Sequence, residues 1–273
     1  MIEILYAIFV GPFRDMATSP AFLVEVLLGG VATGLMYSLV ALGFVLIFKA
    51  SGVFNFAQGV MVLFAALTLV GLMERGVPVI VALVATMAVM VVLAFLIERV
   101  VLRPLVNQEA IILFMATIGL NFFLEGFGEL LWGANVKKLD VGIPDRSFVV
   151  AGVQVNQLEM SAAATAAVLV AVLAVFFQRT RIGRALRAVA DDHEAALSIG
   201  IPLKTIWLIV WSVAGLVAIV GGLIVGVGEK LGEVYWGPLV GGAIENWFAY
   251  VVALVFLLFR PQGLFGEKII ERV

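Results

Sequence analysis

The chain has 273 residues, of which 63% are hydrophobic and only 13% charged, and its net charge is -2. A soluble protein of this length needs more polar residues to cover its surface, and a nucleic-acid-binding protein is typically basic, so both classes are excluded. The absence of cysteine and the single histidine, His193, exclude disulfides, thiolate metal sites and two-histidine metal sites. We therefore expect an all-α, polytopic membrane protein without a metal or other cofactor.

Seven apolar segments approach the roughly 20 residues that a membrane-spanning helix needs. They predict a bundle of transmembrane helices that forms one domain over 1–273. The first segment is long enough either to tilt or to break, with Gly29 and Gly30 as the site of a break. The seven predicted spans are Phe22–Phe48, Asn55–Leu72, Val77–Ile97, Ile111–Trp132, Met160–Phe177, Ile206–Gly228 and Ala243–Phe259.

The orientation follows from the lysine and arginine counts of the loops. With the loop Gln178–Thr205 placed inside, eleven of these basic residues lie inside and six outside. Because basic residues favour the cytoplasmic side, we expect an outer N-terminus and an inner C-terminus.

The largest outer loop, Gly133–Gln157, carries a hairpin signal. Two short runs rich in β-branched residues, Ser147–Val150 and Val153–Val155, flank Ala151 and Gly152. This pattern predicts a small β-hairpin outside the membrane.

Small residues on the first span are spaced for close packing. Gly30 and Gly34 form a G-x-x-x-G pattern, which lets two helices approach closely within lipid. We predict a packing role for this pair.

Polar residues inside the membrane need partners or a cavity. Thr117, Asn121, Glu125 and Glu129 recur at a spacing of four, which places them roughly on one helix face. Asn121 and Glu125 are candidates for lining a translocation path, and the alternative is that they bond to neighbouring helices.

Two amides at the start of the second predicted span are further candidates for the translocation path. Asn55 and Gln58 lie beside Gly52 and Gly59. Their side chains can donate to a carboxylate, or they can satisfy the backbone of a broken helix.

The inner loop Gln178–Thr205 carries the sequence pattern of a short helix. Asp191 or Asp192 is a suitable N-cap, Gly200 suits the position after the helix end, and Pro202 prevents continuation. The resulting helix, about His193–Ile199, offers a small, smooth apolar surface that suits a cleft in another protein. The alternative is an ordinary solvated loop with a basic composition.

Several motifs in the chain resemble one family. The residues Glu194, Ala195, Ala196 and Gly200 resemble the EAA---G coupling motif of ABC importer permeases. Four further stretches are similar to branched-chain amino-acid ABC permeases, and the chain is closer to the shorter permease of the usual pair. They are Gly34–Gly43, Asn55–Gly59, Arg181–Ala190 and Arg260–Gly266.

The resemblance implies a function and a set of partners. The chain would be a multi-pass subunit of the bacterial inner membrane, with the hairpin in the periplasm. It would work with a second homologous permease, two cytoplasmic ATP-binding subunits and a periplasmic binding protein. Asp192, Glu194, Ala195, Ala196 and Gly200 would couple it to the ATPase. The sequence lacks the pattern G-x-x-x-x-G-K-[ST], so the nucleotide site would belong to the partners and the chain would not be an enzyme.

One departure from the family pattern lies late in the chain. Ser212–Ala218 passes directly into Ile219–Gly226, where family members carry an additional membrane-embedded segment.

Three other functions stay open on sequence alone: an ABC permease for urea or amides, an ion-coupled secondary transporter, and an intramembrane enzyme. A secondary transporter would need internal repeats that the sequence does not show. An enzyme would need a nucleophile–base pair or metal ligands, for which one histidine is a poor basis.

Overall fold

The computed structural model describes residues 6, 8–51, 54–105, 108–138, 142–180, 218–244 and 247–259. Within these ranges the chain is predominantly helical, as the composition predicts. Helix α4 continues into the π-helical turns Ile97–Leu102 and a 3-10 turn at Arg103–Leu105, and α7 continues into the π-helical turn Gly232–Trp236. The helices are α1 (Gly11–Thr18), α2 (Pro20–Ser51), α3 (Gln58–Glu74), α4 (Val79–Leu96), α5 (Ala110–Trp132), α6 (Gln157–Arg179), α7 (218–231), α8 (Gly237–Val240) and α9 (Phe248–Phe259).

Four of the described helices are long and apolar enough to cross a membrane. They cover Pro20–Phe48, Val79–Leu105, Ile111–Trp132 and Gln157–Phe176, and α3 and α9 are shorter apolar helices. Large apolar side chains on their surfaces are exposed, such as Ile80 at 77%, which is the arrangement expected where lipid is the solvent. The all-α polytopic fold is therefore confirmed. The count of seven spans and their orientation stay predictions, and residues 206–217 of the sixth predicted span lie outside the described residues.

The first predicted span forms one continuous helix. Helix α2 runs from Pro20 to Ser51 without a break at Gly29 and Gly30, so the break, one of the two alternatives for this span, is absent. Pro20 lies at the first helical position, where its missing N–H costs no hydrogen bond.

The predicted hairpin is confirmed. Strands β1 (Ser147–Val150) and β2 (Val153–Asn156) pair antiparallel, with Ser147 opposite Asn156 and Val150 opposite Val153. The two turn residues have positive φ, 51° at Ala151 and 84° at Gly152. Positive φ at both central positions is characteristic of the tight turns that match the twist of a two-stranded ribbon.

Asn156 connects the hairpin directly to helix α6. Its side-chain oxygen accepts hydrogen bonds from the backbone N–H groups of Leu158 and Glu159, at 2.8 and 3.1 Å. Its amide group donates to the Asp145 carboxylate at 2.7 Å. Asn156 therefore satisfies two of the free N–H groups at the start of α6 and holds the hairpin at that helix end.

The chain divides into two compact units. The first contains Met1–Leu39, Asp145–Val170 and Val217–Val273, and the second contains Val40–Pro144 and Ala171–Leu216. The prediction of one domain over 1–273 stays a prediction.

In the first unit, α1 packs on the turn that follows α7. The indole N–H of Trp236 donates to the backbone oxygen of Ile8 at 3.0 Å. The ring of Phe13 meets the Trp236 ring edge-on at 5.7 Å. These contacts hold the N-terminal segment against the protein through one hydrogen bond and one aromatic pair.

In the second unit, α3 packs between α4 and α5. The buried side chains at the centre of this packing come from three segments of the chain. They are Ala57, Val60, Ile97, Leu120 and Leu124. This core holds the start of α3 in place, where Asn55 and Gln58 lie.

Candidate translocation site

The chain leaves helical geometry between α2 and α3. Residues Phe54–Ala57 form no regular helix, and the backbone N–H groups of Phe56 and Ala57 bond to side chains instead of helical carbonyls. Asn55 supplies one substitute, because its side-chain oxygen accepts a hydrogen bond from the Ala57 N–H at 3.2 Å. Non-helical backbone at membrane depth needs such internal partners, since lipid offers none.

Thr117 of helix α5 supplies the second substitute. Its hydroxyl oxygen accepts a hydrogen bond from the Phe56 N–H at 3.1 Å, and the hydroxyl donates to the Phe114 carbonyl at 2.8 Å. Thr117 is only 3% exposed. A buried side chain on α5 therefore fixes the break that precedes α3.

Aromatic rings support the break from both sides. Phe54 stacks on Phe44 at 5.1 Å, and Phe56 meets Phe114 edge-on at 6.0 Å. Such pairs contribute about 0.5–1.5 kcal/mol each beyond the area that they bury. The segment that carries Asn55 is thus held by side-chain packing as well as hydrogen bonds.

Gln58 lies at the first turn of α3 and packs against a glycine. A Cβ atom added at Gly43 would lie 2.6 Å from the Gln58 amide nitrogen, which is closer than real Cβ contacts. The absence of a side chain at Gly43 therefore makes room for the Gln58 amide. The structure brings Asn55, Gln58 and Thr117 to one end of α3.

The predicted polar stripe of α5 does not stay on one buried face. Thr117 is buried, Asn121 is half-buried, and Glu125 and Glu129 are exposed. The reason is helical geometry, because residues at a spacing of four rotate by about 40° per step at 3.6 residues per turn. Within the described part of the chain, no hydrogen bond reaches the side chain of Asn121 or Glu125.

The predicted packing role of Gly30 and Gly34 is confirmed in the first unit. Added Cβ atoms at these glycines would each lie 2.8 Å from a backbone Cα of α7, that of Val227 or Leu223. In return, a Cβ at Gly226 would lie 2.3 Å from the backbone nitrogen of Gly34. The two helices therefore touch backbone to backbone, which only small residues permit.

Ser38 extends this glycine contact by one turn. Its side chain is fully buried, and its hydroxyl lies 2.6 Å from the Gly34 carbonyl and 3.1 Å from the Ile219 carbonyl. Gly30, Gly34 and Ser38 thus form a continuous seam of small residues, which we call the glycine seam, against α7.

A buried carboxylate lies beside the glycine seam, at a position that the sequence pattern did not predict. The Tyr37 hydroxyl donates to Glu229 Oε1 at 2.9 Å, and Glu229 is only 7% exposed. The predicted span ended at Gly228, so Glu229 fell one residue beyond it. A second small-residue pattern, Gly222-x-x-x-Gly226, ends three residues earlier and was the available signal that this part of the chain is packed.

The predicted coupling residues lie outside the described part of the chain. They are Asp192, Glu194, Ala195, Ala196 and Gly200. Of the predicted inner loop, 178–205, the described portion is 178–180. The coupling role therefore stays a prediction.

Known proteins similar to this chain are permeases. BraD, a high-affinity branched-chain amino acid transport system permease protein of Pseudomonas aeruginosa, is 25% identical over 298 residues, which cover 90% of this chain and 97% of BraD. LivH, the protein of the same description from Escherichia coli K12, is 24% identical over 310 residues, which cover 92% of this chain and 98% of LivH. LivH of Salmonella typhimurium is 23% identical over the same length. No solved structure matches the chain significantly.

These alignments are longer than the chain itself. They run over 298 and 310 residues, against 273 in the chain, so the relatives contain residues that this chain lacks. Ala218 and Ile219 are the first two described residues of helix α7, and the location of the missing segment at this junction stays a prediction.

The family itself follows from a match to most of the chain. The family model described as branched-chain amino acid transport system / permease component matches residues 26–261. These residues include the break before α3 and the glycine seam. The chain therefore belongs to the permease-component family of branched-chain amino acid transport systems.

Proposed function

We propose that the chain is the membrane-spanning permease subunit of an ABC importer that carries branched-chain amino acids across the bacterial inner membrane. The main support is the family match over residues 26–261, together with relatives named for high-affinity branched-chain amino acid transport. The four described helices with the length and composition of membrane spans agree with this role.

The proposed assembly has four further components. A second homologous permease completes the pathway, two ATP-binding subunits hydrolyse ATP in the cytoplasm, and a periplasmic binding protein delivers the amino acid. The sequence lacks a P-loop pattern, which favours a separate ATPase. Asp192, Glu194, Ala195, Ala196 and Gly200 form the proposed contact with that ATPase.

The exposed Glu125 supports a translocation path along α5. A charged residue at the centre of a spanning helix costs about 2.5–3.5 kcal/mol or more when it faces lipid. Glu125 lies within the span Ile111–Trp132 and is exposed. Its charge therefore favours a water-filled path, or an interface with the second permease, over a lipid-facing position.

We place Asn121, Asn55 and Gln58 on the same proposed path. Asn121 lies one turn before Glu125 and is half-buried. Asn55 and Gln58 flank the helix break that Thr117 holds. Non-helical backbone in a membrane protein is tolerated where it is buried or lines a cavity, which suits a site that contacts substrate.

The test is leucine uptake by proteoliposomes that contain the complete complex, with and without ATP. The variant Glu194→Lys removes the acidic residue of the coupling motif. We expect it to abolish ATP-dependent uptake while the complex still assembles. The matched control is Glu109→Lys, which makes the same charge change at an exposed residue on the predicted cytoplasmic side, outside the motif.

Three results would overturn parts of the proposal. Uptake that does not require ATP would favour an ion-coupled transporter. Equal uptake by both variants and the unmodified complex would remove the coupling role of Glu194. Uptake of urea or amides, with no uptake of leucine, isoleucine or valine, would replace the proposed substrate.

A further inference from the structure

A cavity of about 270 Å³ lies in the first unit, where the hairpin meets helices α2, α6 and α7. Its lining includes both charged and apolar side chains. The charged ones are Glu25, Glu159 and Lys230, and the apolar ones include Phe22, Val26 and Met160. This volume is close to the lower end of the roughly 300–1,000 Å³ that small-molecule sites have, which is room for one amino acid.

The charges in the cavity are arranged around Gly29. A Cβ atom added at Gly29 would lie 3.8 Å from both Glu159 Oε2 and the Cε atom of Lys230. The Glu159 carboxylate and the aliphatic part of the Lys230 side chain therefore approach the same point on α2. A larger side chain than glycine or alanine at this position would occupy the space between them.

Each charged group keeps some hydrogen-bonding capacity. The Lys230 ammonium donates to Glu233 Oε2 at 3.0 Å, and two of its three N–H donors are available beyond that bond. Glu25 Oε2 accepts from the Gln154 backbone N–H at 3.4 Å. In the described part of the chain, no hydrogen bond reaches the Glu159 carboxylate.

We propose that this cavity binds the free amino acid as a zwitterion, with its ammonium group on Glu159 and Glu25, its carboxylate on Lys230 and its side chain against Phe22, Val26 and Met160. The inference rests on the proposed function. In that function a binding protein releases substrate on the outer side of the membrane, where the hairpin is predicted to lie. A zwitterion carries both charges that the lining complements, and charge-assisted hydrogen bonds are the strong ones. The apolar wall selects against small polar amino acids.

The test measures direct binding of radiolabelled leucine to the purified complex without the binding protein. We expect saturable binding that Glu159→Gln weakens at least about tenfold, because hydrogen bonds to charged groups are the costly ones to lose. The control Glu129→Gln makes the same change at an exposed acidic residue of α5 that does not line the cavity, and it should bind like the unmodified complex.

A pair of glycine variants tests the same cavity without changing its charges. Gly29→Leu fills the space beside Glu159 and Lys230 and should abolish binding. Gly29→Ala places its Cβ at ordinary contact distance and should keep binding. Elution of both complexes from gel filtration in the assembled position shows that neither variant acts through misfolding.

Two leucine analogues test the zwitterion directly. Leucinol lacks the carboxylate and 4-methylpentanoate lacks the ammonium group, so both should compete poorly with leucine. Leucinol that competes as well as leucine would make the cavity a simple cation site and overturn the proposal. Equal binding by Glu159→Gln and Glu129→Gln, or no binding by a complex that transports leucine, would overturn it while leaving the proposed function intact. A complex that transports no branched-chain amino acid would instead overturn the proposed function.

Discussion

The Tyr37 hydroxyl on α2 donates a 2.9 Å hydrogen bond to the buried Glu229 carboxylate at the end of α7. The two residues are 192 positions apart in the sequence. They lie beside the glycine seam, where α2 and α7 touch through their backbones. The seam brings the helices close enough for this bond to form, and the bond supplies a partner for a carboxylate that is shielded from water.

Loss of the Tyr37 hydroxyl should destabilise the protein. Tyr37→Phe removes a donor to a buried carboxylate, and a buried charged group without its partner costs about 1–3 kcal/mol or more. We expect a lower Tm in detergent for this variant. Adding Glu229→Gln should recover part of the loss, because it removes the charge that lacks a partner. If the double variant loses as much stability as the two single variants added together, a direct interaction between the two side chains is contradicted.

Enlarging Gly226 should break the glycine seam. A Cβ there would lie 2.3 Å from the backbone nitrogen and 2.4 Å from the Cα atom of Gly34, and backbone atoms cannot rotate away. We expect Gly226→Ala to cost about 1–3 kcal/mol, as overpacking typically does, and to lower Tm.

A glycine of the same helix provides the control for this prediction. Gly221 has nothing within 4 Å of an added Cβ. Gly221→Ala should therefore leave Tm unchanged or raise it, since glycine weakens a helix by about 0.5–1 kcal/mol relative to alanine. Equal Tm values for the two variants would show that the close approach of α2 and α7 is not needed for stability.

Thr117 should be needed for the break before α3. Thr117→Val keeps the size of the side chain but removes the acceptor of a part-buried hydrogen bond from the Phe56 N–H, and a donor left unsatisfied out of reach of water costs about 1–3 kcal/mol. We expect lower Tm and reduced ATP-dependent leucine uptake. Thr117→Ser keeps the hydroxyl, so its Tm and its leucine uptake should both stay close to those of the unmodified complex. Normal uptake by Thr117→Val would show that the hydrogen bond is dispensable for transport.

Gly43 should matter through Gln58 alone. Gly43→Ala places a Cβ 2.6 Å from the Gln58 amide nitrogen, which must then move. Because the clash is with the end of a flexible side chain, we expect a small change in Tm and a clear loss of uptake. Gly43→Ala in a Gln58→Ala background should cost no further uptake. Gly119→Ala, where nothing lies within 4 Å, is the control. If Gly43→Ala lowers uptake further in the Gln58→Ala background, the effect of Gly43 does not act through Gln58.

The local features of the fold could be predicted from the sequence. Spanning helices such as α5 and α6 lie within a few residues of their predicted limits, because lipid imposes a length and a hydropathy on each segment separately. The hairpin also follows from local chemistry, since Ala151 and Gly152 take the positive φ values of a tight turn. Of the two alternatives for the first span, tilt or break, the break at Gly29 and Gly30 is absent, because these glycines serve close approach to other residues and not a bend.

What the sequence determined by itself is therefore the class of protein, the positions of most helices and the motifs that indicate the family. The tertiary structure alone decided which segments meet: Gly34 with Gly226, Tyr37 with Glu229, Thr117 with Phe56, and Glu159 with Lys230 around Gly29. Hydrophobic periodicity is weak in helices that face lipid on several sides, so it does not specify which face of a helix packs or against which partner. Those choices depend on backbone approach and side-chain geometry between segments far apart in the chain, and they exist only once the helices are packed.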